Sequence, residues 1–350
     1  MNIQTSSIHI VRRYGPVGGM ERYVWELTHA LVKQGQKVKV ICEQAYEECD
    51  KNIEVIELGS VKPKPRWLSM LRFSKRVSQY FKAADITGWV IHSHERCAEH
   101  HVTTFHGPSI LTRKKRVLDY LSPRIATWEY LEKRELFGEN VQTILPNSLL
   151  VSDQLAKLYP AAAHKLGFPA YPGVSEQFTR LPRQSTGSAI GFIGKEWQRK
   201  GLEFAVKVVK PLVDQNPQIT FIVTGPEPEE IEHLFTEWPS DNYQLRGWQR
   251  SEDTLPLIDI LIHPATAEPF GMVIAEANAT GLPVLISDCC GIAELIHEQH
   301  GLVLPLNQTE AWQQALLKLM TEQKVDSLRL TWDNLGFQHQ QLYLKIAQGK

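Results

Sequence analysis

Short apolar runs alternate with longer stretches of helical period along the chain, and the alternation restarts once. Ile8–Val11, Lys37–Glu43, Gly88–His92, Val102–Phe105 and Val141–Leu145 read as strands, with a helix over Met20–Lys33. After the Pro/Ser/Gly-containing stretch Leu181–Gly187, the strand Ala189–Ile193 opens a second series. It continues with a helix over Gly201–Val213, a strand over Ile219–Val223 and a helix over Glu229–Phe235. Strands over Tyr243–Arg246, Ile258–Ile262 and Pro283–Ser287 follow. Strands that alternate with helices imply a parallel sheet with helices on both faces. The last stretch, Lys324–Gln348, reads as helical, with Leu328, Leu330, Trp332, Phe337, Leu342, Tyr343 and Ile346 as its apolar points.

Composition fits two such units. A chain of 350 residues is long for one core and comfortable for two. We place the domains at 1–175 and 176–325, with a linker near 175–187 and a ligand expected in the cleft between them. No apolar run approaches bilayer-spanning length, and Met1–Val11 lacks a basic start before an apolar core, so a cytoplasmic protein is expected. Five cysteines without metal-ligand spacing fit free thiols in a reducing compartment. For the adjacent Cys289 and Cys290, small buried residues at a strand end are a better reading than a redox pair.

The net charge of −1 hides an asymmetry. Residues 1–175 carry 24 Lys and Arg against 17 Asp and Glu, and residues 176–350 carry 14 against 22. The basic excess concentrates in Lys62–Arg76, where Trp67, Leu68, Met70, Leu71 and Phe73 interleave with cations, and in Arg113–Arg116. A basic amphipathic helix can rest on an anionic membrane surface or meet a phosphorylated acceptor. A solvated helix whose apolar residues face the core is an equal reading.

The densest chemical signal is Pro264–Ser287, which runs from a loop into a helix near Gly271 and leaves it at Gly281. A helix N-terminus offers unpaired N–H groups and a positive dipole end, which suits phosphate. Glu268 precedes that terminus and Glu276 lies about a turn and a half inside it. Two carboxylates flanking a diphosphate site could bind hydroxyls on either side, the layout of a nucleotide sugar. Taken singly, either glutamate is an ordinary surface residue.

As a block, Glu268-Pro-Phe-Gly271, Glu276, Gly281, Pro283 and Val284 resemble the E-x7-E segment of the family 4 retaining glycosyltransferases. That family has the GT-B fold: two Rossmann-like domains facing a central cleft, with a C-terminal helix crossing back to the first. The resemblance implies that 1–175 binds the acceptor, 176–325 binds the nucleotide sugar, and 326–350 is the returning helix. Packing of that helix on the second domain is equally readable from its pattern. The similarity is strong over roughly 190–306, where Gly291-Ile-Ala-Glu-Leu-Ile296 and His300–Pro305 also fit, and looser before.

Four more patches are similar to the family. In Tyr14–Arg22 the residues Gly18 and Gly19 would face the donor phosphates or the acceptor, although a plain glycine-rich turn is the simpler reading of the patch alone. In Thr103–Pro108 the residue His106, just past a strand end, would touch the transferred sugar, with His94 a weaker candidate. In Gly191–Gly201 the residues Lys195 and Lys200 would neutralise the leaving diphosphate. Lys195 replaces the family's arginine, giving a point charge for a bidentate fork, and Arg199 could compensate. Thr224–Pro226 and Arg246–Gln249 would bracket the base, where Trp248 is either core or pocket lining.

The implied reaction is retaining hexosyl transfer by a front-side path. Catalysis would fall to His106, Lys195, Lys200 and Glu268. Donor binding would fall to Gly18, Gly19, Phe270, Gly271, Met272, Val273, Glu276 and Trp248. No D-x-D pair is present to hold a divalent metal, so no metal and no cofactor are expected beyond the co-substrate, a UDP-hexose on family frequency. The opening Arg12–Glu26 segment and the Ser93-His-Glu and Thr-Phe-His-Gly-Pro stretches look like bacterial lipopolysaccharide-core enzymes. The expected partner is then a phosphorylated glycolipid or oligosaccharide at the cytoplasmic face of the inner membrane, with no nucleic acid. Competing readings are a GT-B epimerase or phosphorylase and a non-catalytic nucleotide-sugar-binding subunit. A nicotinamide oxidoreductase lacks its dinucleotide fingerprint here.

Overall fold

A computed structural model describes residues 5–113, 122–182, 184, 187–321 and 325–349. The chain divides into two compact units, Met1–Gly173 with Thr331–Lys350, and Val174–Leu330.

The first unit is built on β1 (Ser6–Ile10), β2 (Arg13–Tyr14), β3 (Lys37–Cys42), β4 (Gln44–Ala45), β5 (Ile53–Glu57), β6 (Val90–Ser93), β7 (Val102–Phe105) and β8 (Thr143–Pro146). Six strands form one parallel sheet in the order β5-β3-β1-β6-β7-β8, and β2 pairs with β4 beside it. Its helices are α1 (Gly19–Lys33), α2 (Arg66–Ala83), α3 (Pro123–Phe137) and α4 (Leu149–Leu158). The order reverses at β1, so the loops after β1, β6 and β7 open a crevice at the carboxyl edge. In α2 the residues Met70, Phe73, Val77 and Phe81 recur at three- and four-residue spacing and are buried, and Phe73, Val77 and Phe81 pack on Ile8, Ile10, Ile41 and Ile91. The apolar points of the basic segment therefore include core residues, and Arg66, Lys75 and Lys82 stay outside. Among the described residues no helix is long and apolar enough to cross a membrane. Of Arg113–Arg116, residues 114–116 lie outside the described residues.

The second unit repeats the plan with β9 (Ala189–Ile193), β10 (Thr220–Thr224), β11 (Tyr243–Leu245), β12 (Ile260–His263), β13 (Val284–Ser287) and β14 (Gly301–Leu304). They form a parallel sheet in the order β11-β10-β9-β12-β13-β14. Its helices are α5 (Trp197–Lys200), α6 (Leu202–Gln215), α7 (Pro228–Ile231), α8 (Ser251–Thr254), α9 (Met272–Ala279) and α10 (Thr309–Thr321). Ile190, Phe192, Val208, Val209, Ile260, Ile262, Leu285, Trp312 and Leu316 form one buried cluster between sheet and helices. Burying each such side chain contributes about 1.5–3 kcal/mol. The helix expected over Glu229–Phe235 is broken after Ile231 into a 3₁₀ turn over Glu232–Leu234.

The last helix, α11 (Trp332–Ala347), belongs to the first unit. It begins at Trp332, where the Thr331 hydroxyl accepts from the Asn334 N–H, and the described residues before it carry no regular structure. Gly336 leaves room for Ala30 and Gln34 of α1, and Tyr343 reaches His92 of β6 with its hydroxyl 2.6 Å from Nδ1. Phe337, one of its apolar points, is exposed.

Candidate active site

In the second unit the loop after β12 carries Glu268, and hydrogen bonds to the backbone fix it on both sides. The Glu268 N–H donates to Cys289 O, and its carbonyl accepts from Gly291 N–H. On the other flank the Arg199 carbonyl accepts from Thr266 N–H, while the Arg199 guanidinium donates to Ala267 O. The carboxylate thereby stands 3.3 Å from Arg199 Nη1, 3.4 Å from Lys200 Nζ and 3.6 Å from His263 Nε2. Burial alone would raise this carboxyl; the neighbouring His263, Lys200 and Arg199 outweigh it and hold Glu268 well below the usual carboxylate range. Burial pushes His263 down to about 4, so the ring is neutral at pH 7, and neither ring nitrogen has a conventional hydrogen bond among the described residues.

The approach of these segments depends on Gly201, which adopts φ +81° and whose absent side chain would collide with the Pro264 carbonyl. Gly271 caps α9 at φ +108°. The backbone N–H groups of Met272 and Val273 in its first turn have no partner among the described residues, as expected at a helix start. Inside α9, Glu276 is buried and accepts a hydrogen bond from Ser251 Oγ at 2.7 Å. The arrangement offers two cations and free N–H groups for an anion, with a carboxylate at either end.

In the first unit the carboxyl edge of the sheet encloses a pocket of about 870 Å³ whose walls include Arg12, Lys64, Arg66, Glu95, His106 and Trp128. Several of its charges are already matched. Arg12 pairs with Glu43, Arg13 with Glu21, and Arg96 with Glu132 at 2.8 Å. Lys64 and Arg66 have no ion-pair partner among the described residues. Burial raises both Glu95 and Glu135 to about 7, against the lowering influence of nearby arginines. His94 of the pocket wall and His9 and His92 behind it lie close enough for their ring nitrogens to fall within 4.8 Å of one another.

Of the residues expected from sequence, Lys200, Glu268, Gly271, Met272, Val273 and Glu276 gather in the second unit around the start of α9, with Phe270 buried beneath it. Lys195 is exposed on the loop after β9 and has no ion pair among the described residues. Trp248 is 64% exposed and is not a core residue. His106 lines the first unit's pocket, and Gly18 and Gly19 open α1, where a side chain at Gly18 would strike the Glu21 carboxylate. Cys290 is buried and Cys289 is half-buried; all five cysteines are free thiols. Sequence reasoning missed His263 and Ser251 and ranked Arg199 low; Arg199 and Ser251 lie far from their partners in the chain, and His263 reads as an ordinary buried strand end.

Comparison with known proteins adds the following. Residues 17–167 match the family model described as Glycosyltransferase Family 4, and residues 187–322 match that described as Glycosyl transferases group 1. The lipopolysaccharide glucosyltransferase WaaG of Escherichia coli K12 is 24% identical, over 91% of this chain and 90% of that one. The crystal structure of a WaaG superposes with a TM-score of 0.75 at 19% identity, covering 98% of each chain. Anabaena HepE in complex with UDP-glucose superposes with a TM-score of 0.65 at 16% identity, covering 99% of this chain and 100% of that one. These likenesses show the fold, that of the GT-B glycosyltransferases.

Proposed function

Because the chain belongs to the family 4 and group 1 glycosyltransferases, we propose that it moves a hexose, with retention, from a UDP-hexose to a phosphorylated glycolipid or oligosaccharide of the lipopolysaccharide core. The observation that carries this reading is the charge arrangement at α9: Arg199 and Lys200 about Glu268, unpaired N–H groups at Met272 and Val273, and the buried Glu276. Likeness to WaaG supports the acceptor pathway, and likeness to HepE with bound UDP-glucose supports the donor.

In this reading the diphosphate lies against the start of α9, and Lys200, Lys195 and the free N–H groups stabilise it as negative charge develops on departure. These groups supply the positive charge that a metal would otherwise bring, so transfer is expected to proceed in excess EDTA. Glu268 orients hydroxyls of the sugar, Glu276 takes the ribose, and His106 meets the transferred sugar. No side chain is assigned as a covalent nucleophile, so attack and departure occur on one face of an oxocarbenium-like sugar. Lys64 and Arg66, which line the first unit's pocket without an ion-pair partner among the described residues, suit a phosphorylated acceptor at the cytoplasmic face of the inner membrane.

Calorimetry with a panel of nucleotide sugars tests the donor half. Selective binding of UDP-hexose, weakened at least tenfold in Glu276→Ala, is expected; no binding to any member would sink the proposal. Proton NMR of the product formed with lipopolysaccharide-core acceptor should show the donor's anomeric configuration. Release of an epimer without acceptor would favour an epimerase instead.

A further inference from the structure

Two buried histidines, His9 and His94, and the half-buried His106 form a hydrogen-bonded series that runs out to the first unit's pocket. Ser7 Oγ lies 3.2 Å from His9 Nε2, His9 Nδ1 lies 3.2 Å from His94 Nε2, and His94 Nδ1 lies 3.0 Å from His106 Nε2. The sheet builds this row. β1 lies beside β6 and β6 beside β7, so a side chain within β1 and those just past β6 and β7 fall in line. His106 ends the series at the pocket wall, with the Tyr23 ring edge-on at a centroid distance of 4.8 Å.

Burial pushes His9 and His106 down to about 3 and His94 well below its ordinary range, so each ring is neutral and carries one proton. Each nitrogen–nitrogen contact needs one donor and one acceptor. Three neutral rings in series therefore have only two consistent states, in which every ring donates toward the pocket or every ring donates away from it. Ser7 breaks the tie. It is buried, and its hydroxyl has no hydrogen-bond partner among the described residues except His9. When the rings donate inward, that hydroxyl proton is stranded, which disfavours the inward state about fivefold or more. When they donate outward, Ser7 donates to His9, His9 to His94 and His94 to His106.

We propose that Ser7, His9 and His94 are positioning residues that hold His106 as the Nδ1–H tautomer, a neutral hydrogen-bond donor aimed at a ligand oxygen in the pocket. That the oxygen belongs to a sugar rests on the glycosyl-transfer reading above. The series is no proton relay: passing a proton outward would leave an alkoxide on Ser7. Nor do His9, His92 and His94 suit a cation, because both ring nitrogens of His92 are taken, by the Tyr343 hydroxyl at 2.6 Å and the Thr104 hydroxyl at 2.8 Å.

Long-range proton–nitrogen NMR of the full chain with labelled histidine, assigned with His106→Gln, tests the tautomer without any substrate. His9, His94 and His106 should each show a protonated Nδ1 and a bare Nε2 at pH 7. Ser7→Ala should give a mixture at His106, and Ser7→Thr should restore the single form. In transfer assays Ser7→Ala should raise KM by about twofold, because an even mixture leaves half of His106 as donor, with kcat unchanged and KM restored in Ser7→Thr. A protonated Nε2 at His106 in the unaltered protein would overturn the inference. So would an unchanged tautomer in Ser7→Ala, or stoichiometric zinc binding that Ser7→Ala does not affect. Because the spectrum needs no sugar, its failure is separate from failure of the transferase reading.

Discussion

Replacing Glu268 by glutamine keeps the shape of the second unit's charge cluster and removes the anion that Arg199 and Lys200 share, while Glu196 stays paired with Arg199. At 3.3 and 3.4 Å, each cation–carboxylate attraction is worth about 5 kcal/mol at an effective dielectric of 20, before desolvation is counted. Removing one partner of a fully buried pair costs about 3–5 kcal/mol. Arg199 and Lys200 keep 32% and 17% of their side-chain surface in water, so we expect Glu268→Gln to cost roughly 2 kcal/mol at pH 7. The carboxyl is held below its ordinary range, so its contribution is complete above the unfolded value near 4.5 and is lost as pH falls through the folded value. The variant should thus lag the parent at pH 7 and approach it in acid. Urea unfolding followed by tryptophan fluorescence from pH 7 down to pH 2 reads this, the gap narrowing only below about 4.5. The same substitution frees Lys200 while Glu196 still holds Arg199, so UDP should bind several-fold more tightly while hexosyl transfer falls. Equal stability at pH 7 together with weaker UDP binding would refute the account of the cluster.

Other substitutions probe the frame around it. Gly201→Ala must hold a side chain at φ +81° and push it into the Pro264 carbonyl; we expect about 2 kcal/mol of destabilisation or more and at least a tenfold loss of kcat/KM as the Thr266–Glu268 loop shifts, read by thermal melts and transfer assays. Glu95, raised by burial to about 7, binds its proton more tightly folded than unfolded, so its contribution to stability falls as pH rises from about 4.5 to 7. Glu95→Gln should abolish that fall and gain up to about 3 kcal/mol at pH 8 relative to pH 5, measured by chemical unfolding across the range.

The strands of both sheets were legible because parallel strands buried on both faces read as unbroken apolar runs, as in Ile190-Gly-Phe-Ile193. Two of their four edge strands escaped: β5 interleaves the exposed Glu54 and Glu57 with apolar residues, and β14 was noticed only within the family-like His300–Pro305 stretch. The site divided similarly. Glu268, Gly271 and Glu276 lie within nine residues of one another, where a local pattern can register them. Arg199 joins Glu268 only because β9 neighbours β12 in the sheet, an adjacency that no local window contains, whereas His263, five residues from Glu268, passed as an ordinary strand end. The histidine series depends on the order β1-β6-β7 in the same way: His106 and His94 stood out by position, but nothing local joined them to each other or to His9.

The return of α11 to the first unit makes the second unit an insertion within the first. Its two ends lie side by side, with Val174 N–H donating to Leu330 O at 2.9 Å. During synthesis on the ribosome, residues 174–330 emerge whole before Trp332, His339 and Tyr343 exist to complete the other core. The later-numbered unit is therefore the first that can finish folding, and the earlier one must wait, nascent and incomplete, with the α11 face of its sheet bare. Adjacent ends also make the inserted unit a cassette: it can be exchanged or expressed alone with little change at its boundaries, whereas losing residues 331–349 injures only the unit that was begun first.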